Sequence, residues 1–336
     1  MTSAMQQPLS DPAVIAARER GLARLKALFG GEQTGEASWL NGISCYTEDD
    51  GPEWESWLER SLSFLSEAAG QSLDERVFRP LCINYNPHGV HFVDQLLGAD
   101  VFQLEDGSWQ AHPLATPVGQ LRAPELEELA SWQQMQAFAR AFLARDVPGV
   151  IFGLPTIASV LNIAVNLYGQ EILAALYEQP EAARRDLDTI NAVLRQLHAW
   201  YREQIPPAQL QCIIPDGRCQ PEGFGQLCGC TTQLVSRQTY HQFIAPLDDA
   251  LLRDYPQGGM IHLCGKHTQH IPTWRELDSF RAFQLNDRAA EDLETYFQGL
   301  REDQILYVNP CAGMPVERIL EITAGRRVVI VGLPPE

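Results

Sequence analysis

The chain has 336 residues, 45% of them hydrophobic, which supplies enough apolar side chain for one large barrel or two ordinary domains. Its 25 basic and 43 acidic residues leave a formal net charge of -18, a field that repels phosphate backbones and anionic lipid; no basic run with interleaved aromatics overrides it. Neither nucleic acid nor a membrane is therefore expected as a partner. The first residues contain no apolar run resembling a signal peptide, and apolar stretches such as 150 to 154 and 328 to 333 are far too short to span a bilayer. A cytoplasmic protein is expected. Its eight cysteines, Cys45, Cys82, Cys212, Cys219, Cys228, Cys230, Cys264 and Cys311, then read as thiols rather than disulfides, several of them simply small buried hydrophobes.

In chain order, the opening to about Leu9 reads as frayed, and Ser10-Asp11-Pro12-Ala13 starts a helix that continues through Phe29 and stops at Gly30-Gly31. Residues 32 to 52 read as loop. Residues 53 to 69 carry Trp54, Trp57, Leu58, Leu62 and Leu65 at helical spacing, a core-facing stripe. Leu81-Cys82-Ile83-Asn84-Tyr85 is a strand ending in the turn Asn86-Pro87-His88-Gly89, and Asp106-Gly107 marks a small hairpin within 104 to 118. A helix over 125 to 145 leads to the strand Val150-Ile151-Phe152. The long stretch 158 to 204 is helical with a break near Gln179-Pro180. Further strands are expected at 210 to 214, 260 to 263, 282 to 285, 305 to 308 and 328 to 331, with a cysteine-bearing loop over 219 to 232 and helices over 237 to 254, 289 to 300 and 315 to 323.

That succession of short apolar strands, loops and amphipathic helices, with no Pro- or Ser-rich linker, argues for a parallel α/β fold. An eighth strand is expected near His91 to Leu97. Barrel and open doubly wound sheet look alike at this level, but both place polar residues at strand ends: Asn84, Asp216, His262, Asn286 with Asp287, and Asn309. His262-Leu263-Cys264-Gly265 is the sharpest local motif. Residues two apart on an extended chain point to the same side, so the imidazole and the thiolate can meet one metal ion, and zinc accepts both. For a third ligand the candidates are Cys311, after Asn309-Pro310, and the C-x-C pair Cys228 and Cys230, which reads foremost as two incidental thiols, then as a metal arm, then as a redox-active pair. His267 and His270 follow the motif and read as solvent-facing or helix-start residues. Asp94 and Asp216 are candidate polar anchors, Asp216 also reading as a turn residue in Pro215-Asp216-Gly217. No dinucleotide fingerprint or nucleophile elbow is present.

Several stretches together resemble the uroporphyrinogen decarboxylase superfamily, from Arg18 to the end of the chain. They are Arg18-Glu19-Arg20 with the helix to Phe29, Phe152-Gly153-Leu154-Pro155-Thr156, Leu176-Tyr177-Glu178-Gln179-Pro180-Glu181, Asp216 with the later Leu234-Val235-Ser236, His262-Leu263-Cys264-Gly265, and Asn309-Pro310 before the last strand. The resemblance implies a (β/α)8 barrel over 76 to 336, carrying an N-terminal helical extension over 1 to 75, with its cleft at the C-terminal strand ends. The arginine-rich loop of true decarboxylases (a pattern like M-R-Q-A-G-R) is replaced by Asn84-Tyr85-Asn86-Pro87-His88-Gly89, whereas Asp94 in Phe92-Val93-Asp94-Gln95-Leu96-Leu97-Gly98 looks like their catalytic aspartate region.

The cobalamin-dependent methyltransferase relatives carry H-x-C-G at the position of His262 to Gly265, and similarity to them implies zinc on the histidine, that cysteine and a later cysteine. It implies also a corrinoid protein delivering a methyl group as methylcobalamin to a small thiol. Their late cysteine follows the final strand; here Val331 to Glu336 holds none, and Cys311, one strand early, takes that place. The expected enzyme is thus a zinc-dependent corrinoid:thiol methyltransferase, with His262, Cys264 and Cys311 on the metal and Cys228 and Cys230 as alternatives. Asp94 and Asp216 are expected in catalysis, and Asn84, His88, Asn286 and Asn309 against the substrate. The rivals are a metal-independent decarboxylase or lyase using Asp94, and a catalytically degenerate ligand-binding barrel.

Overall fold

The computed structural model describes residues 7–32, 36–47, 54–211 and 214–335. The opening residues 1 to 6, parts of the expected loop over 32 to 52, the first residue of the expected helix at 53, and Cys212 with the middle of the expected strand over 210 to 214 lie outside the described residues. The chain opens with a helix, Pro12–Phe29, started as expected by Asp11, whose carboxylate accepts from the Ala13 amide at 2.7 Å.

The strands are β1 Ser38–Leu40, β2 Ile43–Thr47, β3 Leu81–Tyr85, β4 Val101–Gln103, β5 Trp109–Ala111, β6 Val150–Gly153, β7 Leu210–Gln211, β8 Gly225–Cys228, β9 Gly259–Leu263, β10 Phe280–Leu285, β11 Ile305–Val308 and β12 Val328–Val331. They build a six-stranded sheet in the order β1-β12-β11-β10-β9-β8 and a four-stranded sheet in the order β2-β3-β6-β7. Every ladder in both is parallel. β4 and β5 form the separate antiparallel hairpin, whose turn is held by the Asp106 carboxylate accepting from the Ser108 amide and hydroxyl at 3.0 and 2.7 Å.

Three expectations are corrected. The apolar run 91 to 97 is a short helix, Phe92–Leu96, not a strand, and it buries Phe92, Val93, Asp94 and Leu96 together. The loop expected over 219 to 232 contains β8, and the loop expected over 32 to 52 contains β1 and β2. Since β1 pairs with β12 and β2 with β3, the segment expected as a helical extension contributes a strand to each sheet.

Alternation along the strands sorts the core in two. Leu40, Cys82, Ile151, Met260, Ala282, Ile305, Tyr307 and Val329 form one cluster drawn from both sheets, closed off by Leu25, Phe29, Phe78 and Phe224. The alternate residues, among them Ile83, Phe152, Ile261, Phe283, Leu306 and Ile330, belong to the larger cluster shared with the helices. The two sheets therefore share one inner core. The short helix Pro215–Arg218 and Cys219 run into it: the Gly42 amide donates to the Asp216 carbonyl at 2.9 Å, the Tyr307 hydroxyl donates to the Cys219 carbonyl at 2.7 Å, and Cys219 is fully buried. Among the described residues no ladder joins β7 to β8. Side-chain amides link them instead: the Gln211 amide donates to the Gln220 carbonyl at 2.8 Å and its oxygen accepts from the Gln220 backbone amide at 2.9 Å, while the Gln220 side chain donates to the Gly225 carbonyl at 2.9 Å.

β9, which carries His262, is entered through Gly258 at φ +75°, where an added Cβ would stand 2.4 Å from the Ser279 carbonyl oxygen. Gly258→Ala is expected to lower stability by about 2 kcal/mol, read as a shifted urea midpoint with unchanged slope. A wild-type midpoint would show that this turn relaxes freely. No described helix is long and apolar enough to cross a membrane.

Candidate metal centre

β8 and β9 lie side by side with Cys228 opposite His262, and the Gly229 amide donates to the His262 carbonyl at 2.8 Å. Each strand is followed by one more cysteine, Cys264 directly after β9 and two residues beyond His262, and Cys230 after β8 at the start of the 3-10 turn Cys230–Leu234. The ligand atoms of Cys230, His262 and Cys264 all lie within 4.8 Å of one another. His262 is buried, and the two cysteines are half-buried.

The polar groups around the cluster prepare it for a metal. His262 Nδ1 hydrogen-bonds Gln284 Oε1, and the Gln284 amide in turn donates to Asn309 Oδ1. A ring nitrogen that donates to a carbonyl oxygen fixes the tautomer, so the lone pair lies on Nε2, toward the thiols. Burial, then the positive charge of Arg218, holds the His262 pKa below its ordinary value, which keeps the imidazole neutral. The Cys264 thiol is pulled well below the ordinary thiol range, chiefly by the hydrogen bond it receives from Cys230, while Cys230 is raised by the same bond and by burial. One neutral nitrogen and two sulfurs that can give up their protons match a tetrahedral zinc site with a position left over.

The turn bearing Cys230 is anchored by the two histidines that follow the motif. His267 and His270 are fully buried, not solvent-facing. The Thr232 hydroxyl donates to the Gly229 carbonyl at 2.8 Å and accepts from His267 Nδ1 at 3.0 Å, and His267 Nε2 accepts from the Gly265 amide at 3.2 Å. His270 Nε2 donates to the Thr232 carbonyl at 2.9 Å. An added Cβ at Gly265 would stand 2.0 Å from Gln233 Oε1, so a larger residue here would displace the exposed Gln233 side chain that covers the strand end.

The remaining expected site residues are scattered around the cluster. Cys311 lies outside it, in a turn where it exchanges backbone hydrogen bonds with Met314 at 3.0 and 3.1 Å; the third sulfur beside His262 and Cys264 is Cys230 from the C-x-C pair. Cys228 is buried and its sulfur accepts from Arg218 Nη1 at 3.5 Å. Asn309 reaches the cluster through Gln284. Asn286 precedes the helix Asp287–Glu291 and bonds the Asp287 carboxylate at 3.3 Å. Asp94 is fully buried; its Oδ2 meets His91 Nδ1 at 2.6 Å and the Asn166 amide at 2.7 Å, and burial raises its pKa. Its helix contact is close to the cluster, for Asn166 is one turn along Val160–Tyr168 from Asn162, which accepts from the Thr231 amide at 3.1 Å. Asp216 accepts from the Ser44 hydroxyl at 2.9 Å, and Asn84 donates to the Leu154 carbonyl at 2.5 Å. His88, at φ +58°, sets its ring edge-on to Trp109 at 4.8 Å.

Gln284 and Arg218 were not among the expected residues. Gln284 had a signal, being the one polar side chain in phase with the inward-facing Ala282 of β10. Arg218 had none, because its inward position depends on the path of the chain between β7 and β8.

No family model matches the sequence, and no curated protein matches it. The fold is similar to a solved methyltransferase from Methanosarcina mazei. The two share a TM-score of 0.60 at 12% identity, over 93% of this chain and 92% of that one. At that identity the likeness is one of fold, and the chemistry has to be argued from the cluster itself.

Gln284→Leu is expected to leave the protein folded while weakening zinc binding about 10- to 100-fold, since it removes the acceptor that orients His262. Competition against a chelator of known affinity measures this. Wild-type affinity in the variant would mean that His262 needs no such partner.

Proposed function

We propose that the chain is a zinc-dependent methyltransferase that moves a methyl group from a corrinoid protein to a small thiol, the two parallel sheets closing as a (β/α)8-type barrel with the metal at its C-terminal mouth. The observation that carries this reading is the convergence of Cys230, His262 and Cys264 at the ends of β8 and β9. Its location agrees with the rule that parallel α/β folds work at the carboxyl ends of their strands. The fold likeness to a solved methyltransferase supports the same reading.

Zinc bound there would act as a Lewis acid that makes a thiol acidic at neutral pH. The chain's own residues do the rest. Gln284 and Asn309 hold His262 in the tautomer that leaves Nε2 free. His267, His270 and Thr232 hold the Cys230 turn at the correct height. The acceptor's S–H proton leaves to solvent, and the sulfur lone pair forms the new S–CH3 bond. The methyl group would come from the partner's methylcobalamin, which would keep the electron pair of the bond it gives up. Asp216 at the inner turn and Asn84 at the end of β3 offer polar contacts for the remainder of the acceptor.

The test is direct. Zinc-loaded protein, free methylcobalamin and 2-mercaptoethanol are incubated anaerobically, and the S-methyl product is measured by mass spectrometry. Product is expected only with the metal present; equal rates for loaded and metal-free protein would sink the reading. Activity on a carboxylated substrate that survives C264A but not D94N would favour the decarboxylase alternative.

A further inference from the structure

The sulfurs of Cys230 and Cys264 lie within 4.8 Å of one another, and both residues are half-buried, open enough for a small solute to reach. The Gly229 amide still donates to the His262 carbonyl, so the two chains leave the sheet side by side. Paired strands stand ~4.8 Å apart, inside the Cα separations of roughly 4.4 to 6.8 Å that a disulfide bridges. One side chain ties both exits together. His267 Nδ1 meets the Thr232 hydroxyl at 3.0 Å on the Cys230 turn, and its Nε2 accepts at 3.2 Å from the amide of Gly265, the residue after Cys264. Other thiols are committed elsewhere. Cys45, Cys82 and Cys219 each donate to a backbone carbonyl, at 3.6, 3.5 and 3.9 Å, and Cys228 is buried with its sulfur accepting from Arg218.

A zinc ion and a disulfide cannot share these two sulfurs, because the metal needs both as thiolates and the S–S bond oxidises both. We propose that Cys230 and Cys264 form a redox switch: a peroxide joins them in a disulfide that shuts zinc out of the centre, and a thiol reductant reopens it. One sulfur attacks a peroxide oxygen, the O–O bond breaks, and a sulfenic acid forms as water leaves. The second sulfur then attacks the first, forming the S–S bond, and the sulfenic hydroxyl departs as water with the second thiol's proton. Two thiols and one hydrogen peroxide thus give one disulfide and two waters. From the loaded centre, solvent supplies the two protons, and zinc, left with His262 alone, dissociates. Two equivalents of a small thiol reverse the closure by exchange and leave as their own disulfide. A thiol of the class proposed above as methyl acceptor is such a reductant, so the centre reopens where that class is abundant. The switch takes up the zinc centre of that reading but not the methyl transfer, so the two can fail separately.

The full chain is reduced, stripped of metal, treated with hydrogen peroxide, blocked with iodoacetamide and digested with trypsin without reduction. Cleavage after Arg218, Arg237, Arg253 and Lys266 leaves Cys264 alone on the peptide 254 to 266, and Cys219, Cys228 and Cys230 together on 219 to 237. Mass spectrometry is expected to find these two peptides joined, with fragmentation placing the link at Cys230, and two thiols fewer than the eight of the reduced chain; dithiothreitol restores both. C228A is expected to close like wild type and C230S to form no link, and the wild-type map decides alone should C230S not fold. A link through any other cysteine, a link between two chains, or sulfinic acid at Cys264 without a link overturns the switch. Zinc-loaded wild type reads the exclusion. Peroxide is expected to release the metal to a weak chromogenic chelator in step with the disulfide, leaving less than about a tenth of it bound, and excess zinc to slow closure about tenfold or more. A disulfide formed with zinc still bound, or closure at one rate with and without excess zinc, overturns the exclusion and the switch with it. Reduced wild type that takes up no zinc overturns the switch together with the metal centre. Zinc release on closure in a chain that transfers no methyl group supports the switch and sinks the transfer reading alone.

Discussion

C230A, H262A and C264A are each expected to purify folded and without zinc, while C311A and C228A retain about one zinc per chain. The argument is geometric. Among the described residues only Cys230 brings a sulfur within 4.8 Å of both His262 and Cys264, whereas Cys311 is held in its own backbone turn and Cys228 Sγ accepts from Arg218. Losing one of three protein ligands removes roughly a third of the binding free energy of a structural-strength site, on the order of a thousandfold in affinity. Cys230 and Cys264 are half-buried and carry little packing, so the alanine variants should stay within about 1 kcal/mol of wild type in the metal-free state. Inductively coupled plasma mass spectrometry after anaerobic purification reads the metal, and urea unfolding reads the fold. Zinc lost from C311A but kept by C230A would restore the expectation drawn from the family resemblance and overturn the geometry.

His262 and Cys264 were legible because a strand-end H-x-C is a local pattern: two residues apart on extended chain is enough to put two side chains together. The third member of the cluster was not, because local spacing does not choose between Cys230 and Cys311, and it is the pairing of β8 with β9 that brings Cys230 beside His262. That pairing was itself hidden. Gly225-Gln226-Leu227-Cys228 has one strong apolar residue in four and reads as loop, yet all four are buried between neighbouring backbones where glycine and cysteine fit. The opposite error came at His91 to Leu97, whose apolar run is too short for its periodicity to tell a strand from one turn of buried helix. β6, β9, β10, β11 and β12 were read correctly because parallel strands covered on both faces are continuous apolar runs. His267 and His270, read as solvent-facing or helix-start residues, do stand at helix starts but are buried: their polarity is satisfied internally by Thr232, 35 and 38 residues away, a partner that no local pattern reveals.

Those histidines make the metal-free protein sensitive to mild acid. Burial pushes the pKa of His198 and His267 down to about 3 and that of His270 to about 4, against an ordinary value near 6.5. Below pH 6.5 the unfolded chain therefore binds protons that the folded chain refuses, and stability falls as pH falls. At pH 5 each histidine has moved about 1.5 units past its unfolded value, so the three together remove about 6 kcal/mol relative to pH 7. Asp248 works in the other direction. Buried between the Ser159 and Tyr240 hydroxyls, its carboxyl is pushed up to about 7. It takes up a proton in the folded state before the unfolded state does, returning about 2 kcal/mol over the same interval. Carboxylates held low by arginines, such as Asp254 beside Arg195, titrate below this window and do not enter. From these four groups the expectation is a loss of about 4 kcal/mol between pH 7 and pH 5, a large fraction of a typical domain's stability, and the lowered pKa values of Cys264 and His262 deepen it in the metal-free protein. D248N, lacking the opposing carboxyl, should show the steeper loss of about 6 kcal/mol. Urea midpoints of the metal-free protein at both pH values measure each slope, and a midpoint that rises on acidification would mean that the histidines are protonated in the folded chain. Since His267 and His270 fasten the Cys230 turn, the same acid interval should loosen the arm that carries the third ligand.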